Sequence, residues 1–146
     1  MNRLFVLRLD RQRYALRLRD VERVLRMVEI TALPEAHPSV LGVINVQGSV
    51  ITVFDLRRCL QLPTREVDSD DVLVLTRTGG AMVALAADGV DGVANWTDHG
   101  FVRGEEIRST PPYLDGVAKL PDGLVLIFDL ERLLQMGSSN SASPPP

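Results

Sequence analysis

Chemically reactive groups are scarce in this chain. Cys59 is the only cysteine and His37 and His99 are the only histidines, so no internal disulfide can form and no His/Cys cluster has metal-ligand spacing. A phosphate-binding glycine loop with lysine, a GxGxxG turn and a GxSxG elbow are all absent, which leaves nucleotide use and serine hydrolysis without support. No apolar run approaches the roughly 18 residues that a membrane span needs. The stretch from Met1 to Arg8 is too short and too soon interrupted by charge for a secretion signal, so the expected compartment is the cytoplasm. Aromatics are few (4 Phe, 2 Tyr, 1 Trp) and the formal net charge is -3, which argues against a nucleic-acid groove of stacking rings and basic side chains. Lysine is nearly missing: of 16 basic residues only Lys119 is not arginine, a bias read first as genomic and only secondarily as a preference for bidentate contacts.

What the chain does have is β-branched residues punctuated by turns. Its 146 residues, 45% hydrophobic and 24% charged, suit one soluble domain with a real core. Phe5, Leu7 and Leu9 alternate with charge, and Asp10-Arg11-Gln12 leads into Tyr14 to Leu18, the pattern of a β-hairpin. Val21, Val24, Leu25 and Val28 then sit three and four apart, which fits one helical turn or a twisted edge segment. Pro34 and Pro38 set a loop over 32–39. Val43–Val46 and Val50–Phe54 read as strands joined near Gly48, and Asp55 is expected to cap a helix over Leu56–Leu62 that Pro63 stops. Leu56, Cys59 and Leu60 share one side of that helix, where Cys59 is expected to act as apolar filler with a high pKa.

The acidic run Glu66 to Asp71 lacks the glycine and distal glutamate of a calcium loop and reads as a solvated linker. Strands are expected at Val72–Thr76 and Ala81–Ala87 around Thr78-Gly79-Gly80, with turns at Asp88-Gly89 and Asp91-Gly92. A strand at Val93–Thr97 and a loop over 98–112 with an extended piece follow. Val117–Leu120 and Leu124–Phe128 then flank the turn Asp122-Gly123. His37 and His99 fall in loops, and Trp96 is expected in the core or at a rim. The tail 137–146 is expected to be disordered.

The chain repeats itself. An ungapped offset of 74 carries Gly42-Val43 onto Gly116-Val117, Phe54-Asp55-Leu56 onto Phe128-Asp129-Leu130, and Arg58, Leu60 and Gln61 onto Arg132, Leu134 and Gln135. An offset of 69 carries Ala15-Leu16 onto Ala84-Leu85, and Val21 and Val24 onto Val90 and Val93. Short strands with frequent turns, occurring twice, favour two small barrels packed together.

The run Leu41-Gly42-Val43-Ile44-Asn45-Val46-Gln47-Gly48 followed by Val50 to Arg57 resembles the signature of the CheW-like domain, a Gly-Val-x-Asn-Leu-Arg-Gly stretch before Pro-Val-x-Asp-Leu. Tyr14-Ala15-Leu16, Val90-Asp91-Gly92-Val93 and Gly116 to Gly123 resemble that family in the same order, so the likeness covers about Leu4 to Met136. It implies a mainly β fold of two packed five-stranded SH3-like barrels with short helices. The domain would span 3–136, with subdomains near 3–62 and 72–136 and exchange of strands between them left open. It also implies no catalysis, cofactor or metal, and no membrane insertion. The implied work is that of an adaptor between the cytoplasmic tip of methyl-accepting chemoreceptors and the regulatory domain of a CheA-type histidine kinase. The receptor groove carries over onto Leu18, Val21, Arg23, Val24, Asn45, Gln47, Val90 and Val93. Two positions depart from the family: Gln47 stands where the signature has arginine, and Arg23 where many members have glutamate, so the receptor-facing chemistry differs. Thr52 in place of the usual proline suits a strand. Beside this reading stand a barrel with an unrelated protein partner, in which the valines are only core, and a single-strand nucleic-acid binder.

Overall fold

The computed structural model describes residues 2–97 and 100–139. Along the chain lie β1 (Asn2–Leu9), β2 (Gln12–Arg17), β3 (Val21–Arg26), β4 (Val40–Val46), β5 (Ser49–Asp55), α1 (Leu56–Cys59), β6 (Val72–Thr78), β7 (Ala81–Ala87), β8 (Gly89–Trp96), β9 (Phe101–Arg103), β10 (Leu114–Leu120), β11 (Gly123–Phe128) and α2 (Leu130–Ser139). A single tight turn, Leu18–Asp20, joins β2 to β3. The hairpin β4–β5 closes through Gln47 and Gly48, both left-handed at φ 50 and 89, the two-residue turn whose twist matches the flanking strands.

The strands form two sheets, ordered β8-β1-β2-β11-β10-β9 and β3-β6-β7-β5-β4. Each is antiparallel except for one parallel pair, β2 with β11 and β5 with β7. The expectation of two packed β units with short helices is met, with a sixth strand, β9, added to one. That strand has a counterpart. Thr31 bridges to Val43 across from β4 just as Val102 pairs with Val117, so in both units the chain leaving the edge strand crosses over to pair on the far edge.

The sheets do not divide the chain into the sequential halves 3–62 and 72–136. One is built from β3 to β7, the other from β1 and β2 with β8 to β11. The two parallel pairs are the physical reason: the first hairpin of each repeat leaves its own repeat and completes the other.

Period-2 alternation then sorts side chains into three cores. Leu4, Val6, Ala15, Val125 and Ile127 fill the six-stranded unit. Ile44, Ile51, Val53, Leu73, Leu75 and Ala84 fill the five-stranded one. The intervening residues of the same strands, among them Phe5, Leu7, Leu16, Val74, Leu85 and Phe128, meet in a shared core that Leu56 and Leu133 cap from the two helices. Strands buried on both faces account for nearly continuous apolar runs such as Leu4 to Leu7 and Val83 to Ala87.

Several local expectations are corrected. The helix expected over Leu56–Leu62 ends at Cys59: Asp55 caps it by accepting from the Arg57 amide at 3.0 Å, but Gln61 turns left-handed at φ 59 and the Leu62 amide folds back onto the Arg57 carbonyl. Asp91-Gly92 is no turn but an irregularity inside β8. Of the two readings of the segment after Asp20, the edge segment holds: it is the edge strand β3 and not a helical turn. Residues 66–71 are not merely solvated, because Asp71 is buried. The last helix runs through Ser139, past the expected start of the tail at Gly137; the rest of that tail and His99 lie outside the described residues.

Asp71 belongs to an ion cluster that pins the linker across one end of the molecule. Arg57, only 8% exposed, donates to Asp10 at 2.5 Å, to Asp88 at 2.6 Å and to the Pro63 carbonyl at 3.0 Å. Arg65 bridges Asp71 and Asp88, each at 2.7 Å. The cluster thereby ties the β1–β2 turn, α1, the linker and the β7–β8 junction together.

Candidate functional site

The edge strands β3 and β8 are copies of each other and carry the same defect. In β3, Val21 pairs with Thr76 and Arg23 with Leu75, so Glu22 is an extra residue. In β8, Val90 pairs with Leu7 and Gly92 with Val6, so Asp91 is the extra one. A β-bulge shifts the alternation by one. Residues three apart therefore come to the same face: Val21 and Val24 lie opposite Thr76 and Val74, and Val90 and Val93 opposite Leu7 and Phe5. Each bulge acid is held by an arginine of the neighbouring strand, Glu22 by Arg77 at 3.1 Å and Asp91 by Arg8 at 2.5 Å. The offset of 69 relates both acids and both arginines.

The result is one partly buried and one exposed valine on each edge. Val21 and Val90 pack against the shared core, as does Leu18, whereas Val24 is 39% and Val93 55% exposed. Arg23 lies on the opposite face of β3, level with Leu75 at the mouth of the five-stranded unit. There it lines, with Gln47, Val46, Val50 and Met82, an open concavity of about 670 Å³. The two positions that depart from the family wording thus share one concave surface. Asn45 faces outward with its Oδ1 accepting from the Gly48 amide at 2.9 Å, which makes it a turn-fixing residue. The eight residues singled out from the sequence therefore fall into a valine face, a barrel mouth and a turn cap. Sequence reasoning missed Arg8, Glu22, Arg77 and Asp91 as partners. The signal was present, because each acid and each arginine recurs at the same offset as the valines.

The reactive groups fall where packing explains them. His37 accepts from the Ser39 amide at 3.0 Å and so shapes its loop. Trp96 is buried against Phe101 at 4.4 Å between ring centroids. Cys59 packs against the shared core, and burial pushes its thiol up to about 12, with Asp55 adding to the rise and a hydrogen bond with Ser39 opposing it. At pH 8 the thiolate fraction is then roughly a thousandth of that of an ordinary cysteine. Iodoacetamide should label native Cys59 several hundred times more slowly than the unfolded chain at that pH; comparable rates would show an accessible thiolate. Among the described residues no three of His, Cys, Asp and Glu are grouped to hold a metal ion.

A search of protein families matches the CheW-like domain to residues 3–138. The chain is similar to the chemotaxis protein CheW of Bacillus subtilis, 26% identical with 97% of this chain and 92% of that protein covered. It is similar also to the chemotaxis protein CheW of Thermotoga maritima, 25% identical over 87% and 83%. Among solved structures, the scaffolding protein TtCheW from Thermoanaerobacter tengcongensis superposes with a TM-score of 0.83 at 26% identity, covering 90% of this chain and 91% of that one. Sequence match over nearly the whole length and a shared arrangement of two sheets agree: the chain belongs to the CheW-like domain family of chemotaxis adaptors.

Proposed function

We propose that this chain is a non-enzymatic adaptor of the cytoplasm that couples the tips of chemoreceptors to the regulatory domain of a CheA-type histidine kinase, and that its two bulged edges form the receptor surface. The observation that carries the reading is the duplicated bulge. Bending a strand and tying the bend with an acid-arginine pair serves the core only through Val21 and Val90, since the outer valines end exposed. It does present apolar side chains from two edges in equivalent settings. A helix offers apolar residues three and four apart along one stripe, and such a stripe desolvates against Val24 and Val93 with Leu18, Val21 and Val90 as the fixed floor. No described helix is long and apolar enough to cross a membrane. We infer from the family likeness that the kinase contact uses a barrel end. Gln47 and Arg23 support a divergent pathway with a matching receptor.

Val24→Asp tests the surface. Because Val24 is substantially exposed, the carboxylate stays hydrated in the free protein and the melting temperature should hold within a few degrees. Loss of one apolar anchor and desolvation of the new charge should weaken receptor binding by about tenfold or more. An unchanged affinity in titration would remove the valine face from the interface. Recovery of neither a receptor cytoplasmic domain nor a CheA-like kinase from the native host would count against the adaptor role.

A further inference from the structure

Resting on the reading of β3 and β8 as the receptor surface, we propose that Arg23 and Arg26 bind carboxylates on the docked receptor helix and thereby set the direction in which it lies. The valines alone cannot do this. Val21 and Val24 on one edge and Val90 and Val93 on the other are related by the repeat, sit beside identical bulges and leave one exposed member each. An apolar stripe would meet nearly the same surface in either direction.

Charge breaks the equivalence. On β3, Arg23 and Arg26 flank Val24, both are exposed, and neither makes an ion pair among the described residues. Arg26 lies on the valine face, opposite Val72, and Arg23 on the mouth side, opposite Leu75. At the offset of 69 their counterparts on β8 are Asn95 and Gly92, neither of them charged. The one acid in the β3 strand, Glu22, is engaged by Arg77, and its counterpart Asp91 by Arg8. The β3 edge is left with two available guanidinium groups, Arg23 and Arg26, against one beside β8, that of Arg3 in β1, which is exposed, lies opposite Asn95 and makes no ion pair among the described residues. Arginine presents a planar fork that matches a carboxylate in a bidentate fashion, so a pair of acidic side chains near one end of an otherwise apolar stripe finds two partners on this edge and one on the other. The mouth beside Arg23 adds apolar walls from Val46, Val50 and Met82, with Val50 72% exposed, so the helix keeps apolar contact while its acid reaches the arginine.

The experiment is titration of the full chain with receptor cytoplasmic domains from the native host, at low and at physiological salt. Arg23→Gln with Arg26→Gln should weaken binding about tenfold and flatten its salt dependence, and Arg23→Glu with Arg26→Glu should weaken it further. Both variants should melt within a few degrees of the parent, since the residues are exposed. A receptor with one tip carboxylate reversed to arginine should recover affinity for the doubly reversed adaptor. If the parent binds and the reversed variant binds equally well, the charge assignment falls while the receptor surface stands. Weakening that salt leaves untouched overturns it too. If the parent binds no receptor, the surface and the charge assignment fall together.

Discussion

Gly42→Ala should remove about 3 kcal/mol of stability, near the upper end for a single overpacking change, and lower the denaturant midpoint without changing the slope. A Cβ at this position would lie 2.1 Å from the Thr31 carbonyl oxygen, which is backbone and cannot swing away, and φ is 151, a setting that side chains strain to reach. The clash strikes the bridge that closes the five-stranded unit, where Thr31 and Val43 exchange hydrogen bonds at 2.9 and 2.8 Å. Gly116→Ala should behave alike in the other unit, because its Cβ would meet the Phe101 ring at 2.4 Å and the Val102 carbonyl at 2.5 Å. Gly48→Ala is the contrast. Nothing lies within 4 Å of its Cβ, so only the left-handed φ of 89 is strained and about 1 kcal/mol should be lost. Equal costs at Gly42 and Gly48 would show that close approach, which is the basis of the closure argument, contributes nothing.

This pairing shows what in the fold was legible. Gly42 and Gly116 stood out because the same glycine recurs at one offset, and that recurrence reflects a shared need for space against a crossing chain. The Asp55 cap and its counterpart Asp129, which accepts from the Arg132 amide at 3.1 Å, were legible for the same reason. Strand and turn positions followed from local alternation. The exchange of hairpins was not, because pairing β5 with β7 rather than with its own first hairpin leaves each strand's pattern unaltered. Asp91-Gly92 misled because the dipeptide that favours a turn also supplies the extra residue and the left-handed glycine, φ 106, of a bulge. The four valines proposed as the receptor surface were legible as a repeated pair, yet their common face depends on that bulge. Simple period-2 alternation would have put Val21 and Val24 on opposite sides.

Arg57→Ala should cost about 3 kcal/mol at pH 7, because a nearly buried cation is removed and its carboxylates stay behind. The figure belongs at the lower end for such a deletion, since Arg65 remains on Asp88 and Asp10 is more than half exposed. The loss has a pH signature. Burial by itself raises Asp88, but hydrogen bonds from Arg57 and from the Asp10 amide, with the charges of Arg57 and Arg65, outweigh it and leave the carboxyl below its usual range. A depressed carboxylate stabilises the fold fully above the unfolded value of about 4 and loses that contribution as pH falls through the folded one. Without Arg57 the main lowering influences vanish while burial persists, so Asp88 moves upward. The difference between parent and variant should therefore be full at neutral pH, shrink as pH falls through the variant's raised value, and vanish only below the parent's depressed one, where both proteins carry a protonated Asp88. Arg57→Lys keeps the charge but not the fork that reaches Asp10, Asp88 and the Pro63 carbonyl together, and should recover less than half of the loss. Urea melts of the three proteins between pH 3 and pH 7 read the effect directly. A deficit that stays constant across that range would mean that Arg57 acts through packing, and the linker would then be held over the shared core by the Arg65 contacts alone.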